Sequence, residues 1–213
     1  MIDIALGCGF AEASSFSRAF KRWAGQTPTA FRRAPRFDLL PAVPALPIGA
    51  VGELQQVDFP STPVAVLAHQ GDPAGLPATL RRFIDWRLRH RLPPSQYATF
   101  NRLYADPASV PSAAFRLDIA VALPQPLPPA LRTAIREAGL TLDEIAAGPC
   151  AVQRHVGNEA SLGAAIARLA GEVLATGVPP RAYPVFLRRL ALAPEVSPQE
   201  AVTDIFVPLP DPR

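Results

Sequence analysis

The chain has 213 residues, 49% hydrophobic and 18% charged, with 26 Pro, 13 Gly and a formal net charge of +3. The apolar share is enough to build a core, and Pro plus Gly stay below the roughly 25–30% of low-complexity chains, so a wholly disordered chain is excluded. No apolar run approaches the roughly 18 residues needed to cross a bilayer. The opening MIDIALGCGF has no cationic n-region and carries Asp3 inside its apolar run, so no signal peptide is predicted. Cys8 and Cys150 imply neither a disulfide framework nor a metal-ligand cluster, which predicts a cytoplasmic protein without a metal.

The charge is uneven along the chain. Residues 1–36 hold six basic residues (Arg18, Lys21, Arg22, Arg32, Arg33, Arg36) and two acids (Asp3, Glu12), a local +4, whereas the rest carries −1. Such asymmetry is expected when a short segment faces phosphate and the remainder does not.

In chain order, residues 2–10 show a short helical apolar period that stops at Gly9. A second helix follows, capped by Ser14, with Phe16, Ala19, Phe20 and Trp23 forming one buried stripe and Gly25 ending it. Its other face presents Ser15, Ser17, Arg18, Lys21 and Arg22, all able to donate hydrogen bonds to phosphates or base edges. Thr27 caps a third helix that begins at Pro28. Helix, glycine turn and a helix with a basic face make a helix-turn-helix pattern.

The stretch IALGCGFAEASSFSRAFKRWAGQTPTAFRR resembles the carboxy-terminal half of the AraC-family DNA-binding domain, through Ile4-Ala5, Gly9-Phe10, Phe16, Arg18, Phe20, Lys21, Gly25, Pro28 and Phe31-Arg32. The resemblance implies DNA contacts from Glu12, Ser14, Ser15, Ser17, Arg18, Lys21 and Arg22. Members of that family carry two helix-turn-helix units, and this sequence starts at the second. A fragment or a late start is therefore expected, and the lone unit with its local +4 charge is expected to bind DNA weakly and with strong salt dependence.

Residues 37–56 are Pro-rich and read as a semi-rigid linker. The chain then repeats itself at an offset of 86: PVAVLAHQG at 63–71 matches PCAVQRHVG at 149–157, Tyr97 maps to Tyr183, and DIAVALP at 118–124 maps to DIFVPLP at 204–210. Within one copy, residues 63–70 alternate as a strand, 75–91 carry apolar residues at helical spacing, and strands follow near 96–104 and 115–123. Two strand-helix-strand-strand copies, about 57–124 and 143–210, are expected to pack about a pseudo-twofold, with helices on one side of an antiparallel sheet and a central cleft on the other. His69 and His155 are symmetry mates, which argues for a structural task.

That arrangement, with VDFPSTPVAVLAHQGDP, YADPASVPSAAFRLDIAV and SPQEAVTDIFVPLP, resembles the GyrI-like effector-binding domain in its AraC-linked form, over about 57–210 of the 57–213 segment. The fold class is therefore α+β, a partial helix-turn-helix followed by a duplicated domain.

In the last strand Ile205, Val207 and Leu209 should meet the helices, and Asp204, Phe206 and Pro208 the cleft, with Asp118 as the equivalent of Asp204. A carboxylate among aromatics suits a lipophilic cation, and the family resemblance implies an amphipathic effector held by an acid near this strand. The candidate effector residues are Asp204, Trp86, Tyr97, Phe100, Asp118, Tyr183, Phe186 and Phe206. Three functions follow: a DNA-binding regulator with a small-molecule effector, a stand-alone binder, and, last, a hydrolase using Asp204 with Tyr183 or Tyr97. The leading expectation is a non-enzyme without cofactor, acting on DNA and not on membranes.

Overall fold

The computed structural model of the chain describes residues 12–24, 27–33, 51–105, 109–177, 179–192 and 196–211, and it divides into two compact units, residues 1–44 and 45–213. The helix expected over 2–10, the glycine stop at Gly25, residues 34–50 of the linker segment and the side chains of Ala19, Arg22, Trp23, Phe31 and Arg32 lie outside the described residues.

The first unit contains α1 (Ala13–Ala24) and α2 (Pro28–Arg33), which pack on each other. The cap of α1 sits before the expected Ser14: the Phe16 amide donates to the Glu12 carbonyl, and the Ser14 hydroxyl donates to the Glu12 carboxylate (2.9 Å) instead of closing a backbone amide. The second cap agrees with the sequence. The Ala30 amide donates to Thr27 Oγ1 (3.2 Å), and Pro28 takes the first helical position, where its missing N–H removes nothing.

The second unit is one eight-stranded antiparallel sheet with three α-helices. Its strands are β1 (Gln55–Phe59), β2 (Thr62–Gln70), β3 (Thr99–Leu103), β4 (Arg116–Ala122), β5 (Thr141–Ile145), β6 (Gly148–Val156), β7 (Val185–Ala191) and β8 (Val202–Pro208). The helices are α3 (Leu76–Arg89), α4 (Pro129–Glu137) and α5 (Glu159–Ala175). The spatial order is β1-β6-β8-β7-β3-β4-β2-β5.

The offset of 86 relates every strand of the first half to one of the second: β1 to β5, β2 to β6, β3 to β7 and β4 to β8. Registers repeat as well, since Val64 faces Ala122 and Cys150 faces Pro208. The pseudo-twofold passes through the Asn101–Leu187 pair of the central β3–β7 ladder. Gly71 and Gly157 end the equivalent strands β2 and β6 with φ of 99° and 148°, a conformation that side chains rarely adopt.

Two strands escaped the sequence reading, β1 and β5, each of which opens its repeat. Neither forms a hairpin with its own successor; β1 pairs with β6 and β5 with β2, so the copies exchange their first strands. Only Pro60 and Ser61 join β1 to β2, a step that reaches at most about 11 Å. In a flat sheet strands six positions apart would lie about 29 Å apart. The sheet must therefore curl until its two ends meet, and the same argument holds for β5 and β6 across Ala146 and Ala147.

The curl makes an inside and an outside. Outside, Ala65, Leu67, Ile119 and Val121 pack under Phe83, Trp86 and Ile135 of α3 and α4, while Ala151, Leu187, Ile205 and Val207 pack under Leu162, Leu169 and Val173 of α5. Inside, Phe59, Val64, Val66, Phe100, Val152, Phe186 and Phe206 form a third cluster. The alternation expected for β8 is the one observed: Ile205 and Val207 meet the helix, and Phe206 points inward. The central cleft is accordingly the interior of the curl, and side chains fill it. His69 is also accounted for: its Nδ1 meets Thr79 Oγ1 at 2.9 Å and its Nε2 the Asp72 carbonyl at 3.1 Å. Among the described residues no helix is long and apolar enough to cross a membrane.

Candidate functional site

On α1 the helical period turns Phe16 inward, where it is buried and meets the Phe20 ring at 5.7 Å. Glu12, Ser14, Arg18 and Lys21 are exposed, and Ser15 and Ser17 are half-buried. Arg18 Nη2 donates to Ser15 Oγ (3.4 Å), and among the described side chains Arg18 and Lys21 are the cations on the exposed face. Arg22 belongs to the same expected set, but its side chain lies outside the described residues.

Within the curled sheet, four phenylalanines from four strands converge. Phe186 (β7) and Phe206 (β8) stack at 4.7 Å with 4° between planes, and Phe59 (β1) sets its edge against both, at 4.9 and 5.1 Å. Phe100 (β3) lies 6.1 Å from Phe59. All four are at most 3% exposed. Tyr183 joins at the rim, 6.3 Å from Phe186, its hydroxyl donating to the Glu144 carbonyl and accepting from the Ala146 amide. Phe59 was not among the residues expected from the sequence, because the sequence predicts a linker up to residue 56 and no strand before residue 63.

Asp118 and Asp204 flank this aromatic centre, both wholly buried. Arg102 stands opposite Asp118 across the β3–β4 ladder and Arg188 opposite Asp204 across β7–β8, so the offset of 86 reproduces the ion pair itself. Asp204 accepts from Arg188 Nη2 (2.7 Å) and from Arg154 Nε (2.8 Å) and Nη2 (3.2 Å). Asp118 accepts from Arg102, from Arg116 and from the Tyr104 hydroxyl (2.7 Å), and Arg102 reaches on to Asp143 (2.6 Å). Neither carboxylate is left as a lone counter-ion. Burial works against the Arg102 charge, but Tyr183 and Asp143 hold its pKa above the ordinary value. Burial and the bond to Asp118 push Tyr104 up to about 12, so it remains a phenol at neutral pH. The arginines were missed in the sequence, although Arg102 and Arg188 map on each other at the same offset as the aspartates.

Two of the expected effector residues are not brought to this interior. Trp86 lies outside the sheet because the period of α3 sets it beside Phe83 over Leu67, and Tyr97 packs against the same outer cluster. Trp86 instead lines a groove of about 340 Å³ with Arg82, Arg89, His90, Glu137 and Leu140. Phe100, Asp118, Tyr183, Phe186, Asp204 and Phe206 do gather inside the curl. The acid and phenol pairs considered from the sequence do not form: Tyr97 is on the other face from Asp204, and the Tyr183 hydroxyl is tied to strand-end backbone.

A duplicated, curled antiparallel sheet with an enclosed aromatic interior, preceded by a helix-turn-helix segment, defines the class. Residues 53–210 match the family described as the GyrI-like small molecule binding domain, and residues 1–34 match a helix-turn-helix domain. The chain belongs to the GyrI-like family and carries an AraC-type helix-turn-helix segment at its N-terminus. It is similar to the probable transcriptional regulator YgiV of Escherichia coli K12, 34% identical over 155 residues that cover 72% of this chain and 93% of YgiV. Its fold resembles the EcmrR C-terminal domain (TM-score 0.57, 13% identity, 75% of this chain and 98% of that one). It also resembles a hydrolase from Listeria innocua (TM-score 0.54, 13% identity, 76% and 94%).

Proposed function

We propose that this protein is a DNA-binding transcriptional regulator whose GyrI-like domain takes a small lipophilic effector into the aromatic interior. The observation that carries the reading is the joining, in one chain, of a helix that exposes Arg18 and Lys21 over a buried Phe16 to an enclosed cluster of four phenylalanines. The regulator name borne by the relative YgiV supports the same reading. Ring faces of Phe186 and Phe206 suit flat aromatic ligands, by stacking. Phe100, Tyr183, Phe186 and Phe206 contact the ligand, and Asp118 and Asp204 act by fixing the arginines beside them. The ligand's effect on DNA requires a coupling free energy between the two sites.

The DNA half is tested by a gel shift with duplex DNA at low salt. Arg18→Ala and Lys21→Ala are each expected to weaken retention and to flatten the slope of log affinity against log salt by about one. No retention by the parent chain ends the regulator reading and leaves a stand-alone binder.

The effector half is read by calorimetric titration with a neutral lipophile, biphenyl-4-carboxamide. Binding by the parent, weakened at least about tenfold in Phe206→Ala, is expected from the loss of a stacked ring. Absence of binding for both this amide and the corresponding carboxylate removes the interior as a ligand site. A hydrolytic role finds less support, because Asp204 is saturated by two arginines and Tyr104, the phenol that does meet a buried carboxylate, is held protonated.

A further inference from the structure

We infer that the effector of this chain is an amphipathic anion, a carboxylate carried on aromatic rings, with its charged group on Arg181 at the rim of the interior. This rests on the reading that the interior is the ligand site, and it concerns the sign of the ligand's charge.

The first reason is the balance of charge around the aromatic centre. Four guanidinium groups (Arg102, Arg116, Arg154, Arg188) share three carboxylates (Asp118, Asp143, Asp204). Each buried carboxylate is already divided between two arginines. A cation entering the interior would meet spent counter-ions and an excess of positive charge, and both oppose it in a medium of low dielectric.

The second reason is Arg181 itself. Its Nη1 donates to the Ala147 carbonyl (2.7 Å), and its guanidinium lies over the Tyr183 ring at 5.5 Å. Its Nε and Nη2 are buried with no hydrogen-bond partner, and no carboxylate among the described residues forms an ion pair with it. The residue as a whole is half-buried, but two buried N–H groups left without an acceptor are costly unless a ligand completes them. The two vacant donors, Nε and Nη2, form one edge of the planar fork, the edge that accepts a carboxylate through two parallel hydrogen bonds.

The third reason is position. The Arg181 amide donates to the Pro208 carbonyl at the end of β8, two residues beyond Phe206. Its Nη1 would lie 2.6 Å from a Cβ at Gly148, so the glycine makes room for the guanidinium, and Gly148 is the ladder partner of Phe59. An anion on Arg181 therefore has Tyr183 and Phe59 beside it to receive its rings. The offset places Ser95 and Thr62 in the first copy where Arg181 and Gly148 stand in the second. The buried Arg–Asp pairs are duplicated, as a structural task requires; this cation is not.

Three probes of one shape decide the matter: biphenyl-4-carboxylate, biphenyl-4-carboxamide and biphenyl-4-carboxamidine, titrated into the full chain at low salt. The carboxylate is expected to bind at least about tenfold more tightly than the amide, and the amidine more weakly than both. Arg181→Gln should bring carboxylate and amide within about threefold, while Arg181→Lys keeps part of the preference; thermal melts confirm that each variant is folded. Amidine binding equal to or tighter than carboxylate binding overturns the anion inference while leaving the lipophilic interior intact. A carboxylate preference that persists in Arg181→Gln also overturns it, because the charge would then lie elsewhere. If none of the three binds, the interior reading and the inference fall together.

Discussion

Asp204→Ala is expected to lower the unfolding free energy of the 45–213 unit by about 3–5 kcal/mol, since it removes the carboxylate that Arg188 and Arg154 share in a buried ion pair. Arg188 is 4% exposed, whereas Arg154, with its side chain 26% exposed, can turn outward. The penalty therefore falls on Arg188. Urea denaturation followed by circular dichroism measures it. The double replacement Arg188→Met with Asp204→Leu should recover most of the loss, because exchanging a buried pair for apolar residues of similar volume is often neutral. In Asp118→Ala, Arg102 keeps Asp143 as a partner at 2.6 Å, which limits the cost of that replacement. A loss below about 1 kcal/mol for Asp204→Ala would show that water reaches Arg188, and would count against an enclosed interior.

Phe186→Ala is the second large effect, at about 3–5 kcal/mol for truncating a buried aromatic. Phe186 is fully buried, stacks on Phe206, meets the edge of Phe59 and contacts Tyr183. Its position on β7, in the central β3–β7 ladder, leaves little freedom for the sheet to collapse into the space. The variant should therefore retain an apolar void inside the curl. Denaturant midpoints give the stability change, and uptake of benzene by the folded variant but not by the parent would report the void. Phe59→Ala should cost less, because β1 is an edge strand paired only with β6 and can close inward.

These effects show how far the residues could be read without the structure. The caps of short helices are local, and Thr27 with Pro28 could be placed from the sequence to the residue, while the cap of α1, expected at Ser14, lies two residues earlier because Glu12 supplies the first carbonyl. The two-residue alternation of β8 separated Ile205 and Val207 from Asp204 and Phe206 correctly, since a pleated strand allows no other division. Trp86 and Tyr97 were the misplaced aromatics. An aromatic ring in a sequence does not state which side of a sheet it will cover, and in α3 the helical period, shared with Phe83, carried Trp86 to the outer layer.

The duplication, the alternating faces of the strands and the basic helix-turn-helix segment were legible in the sequence, because each of these is written in spacings of a few residues or in a repeated offset. The helix α4, the exposure of Ile84 and Leu88 on α3, the exchange of β1 and β5 between the copies, the curl that follows from their two-residue links, and the neutralisation of Asp118 and Asp204 arise from tertiary packing. Arg154 meets Asp204 across 50 residues of chain and Arg102 meets Asp143 across 41, so these partners become neighbours only once strand order is fixed. The sign of the charge left at the aromatic interior depends on those pairings. A carboxylate read alone points to a cation; the same carboxylate held by two arginines, beside an Arg181 with two unpaired donors, points to an anion.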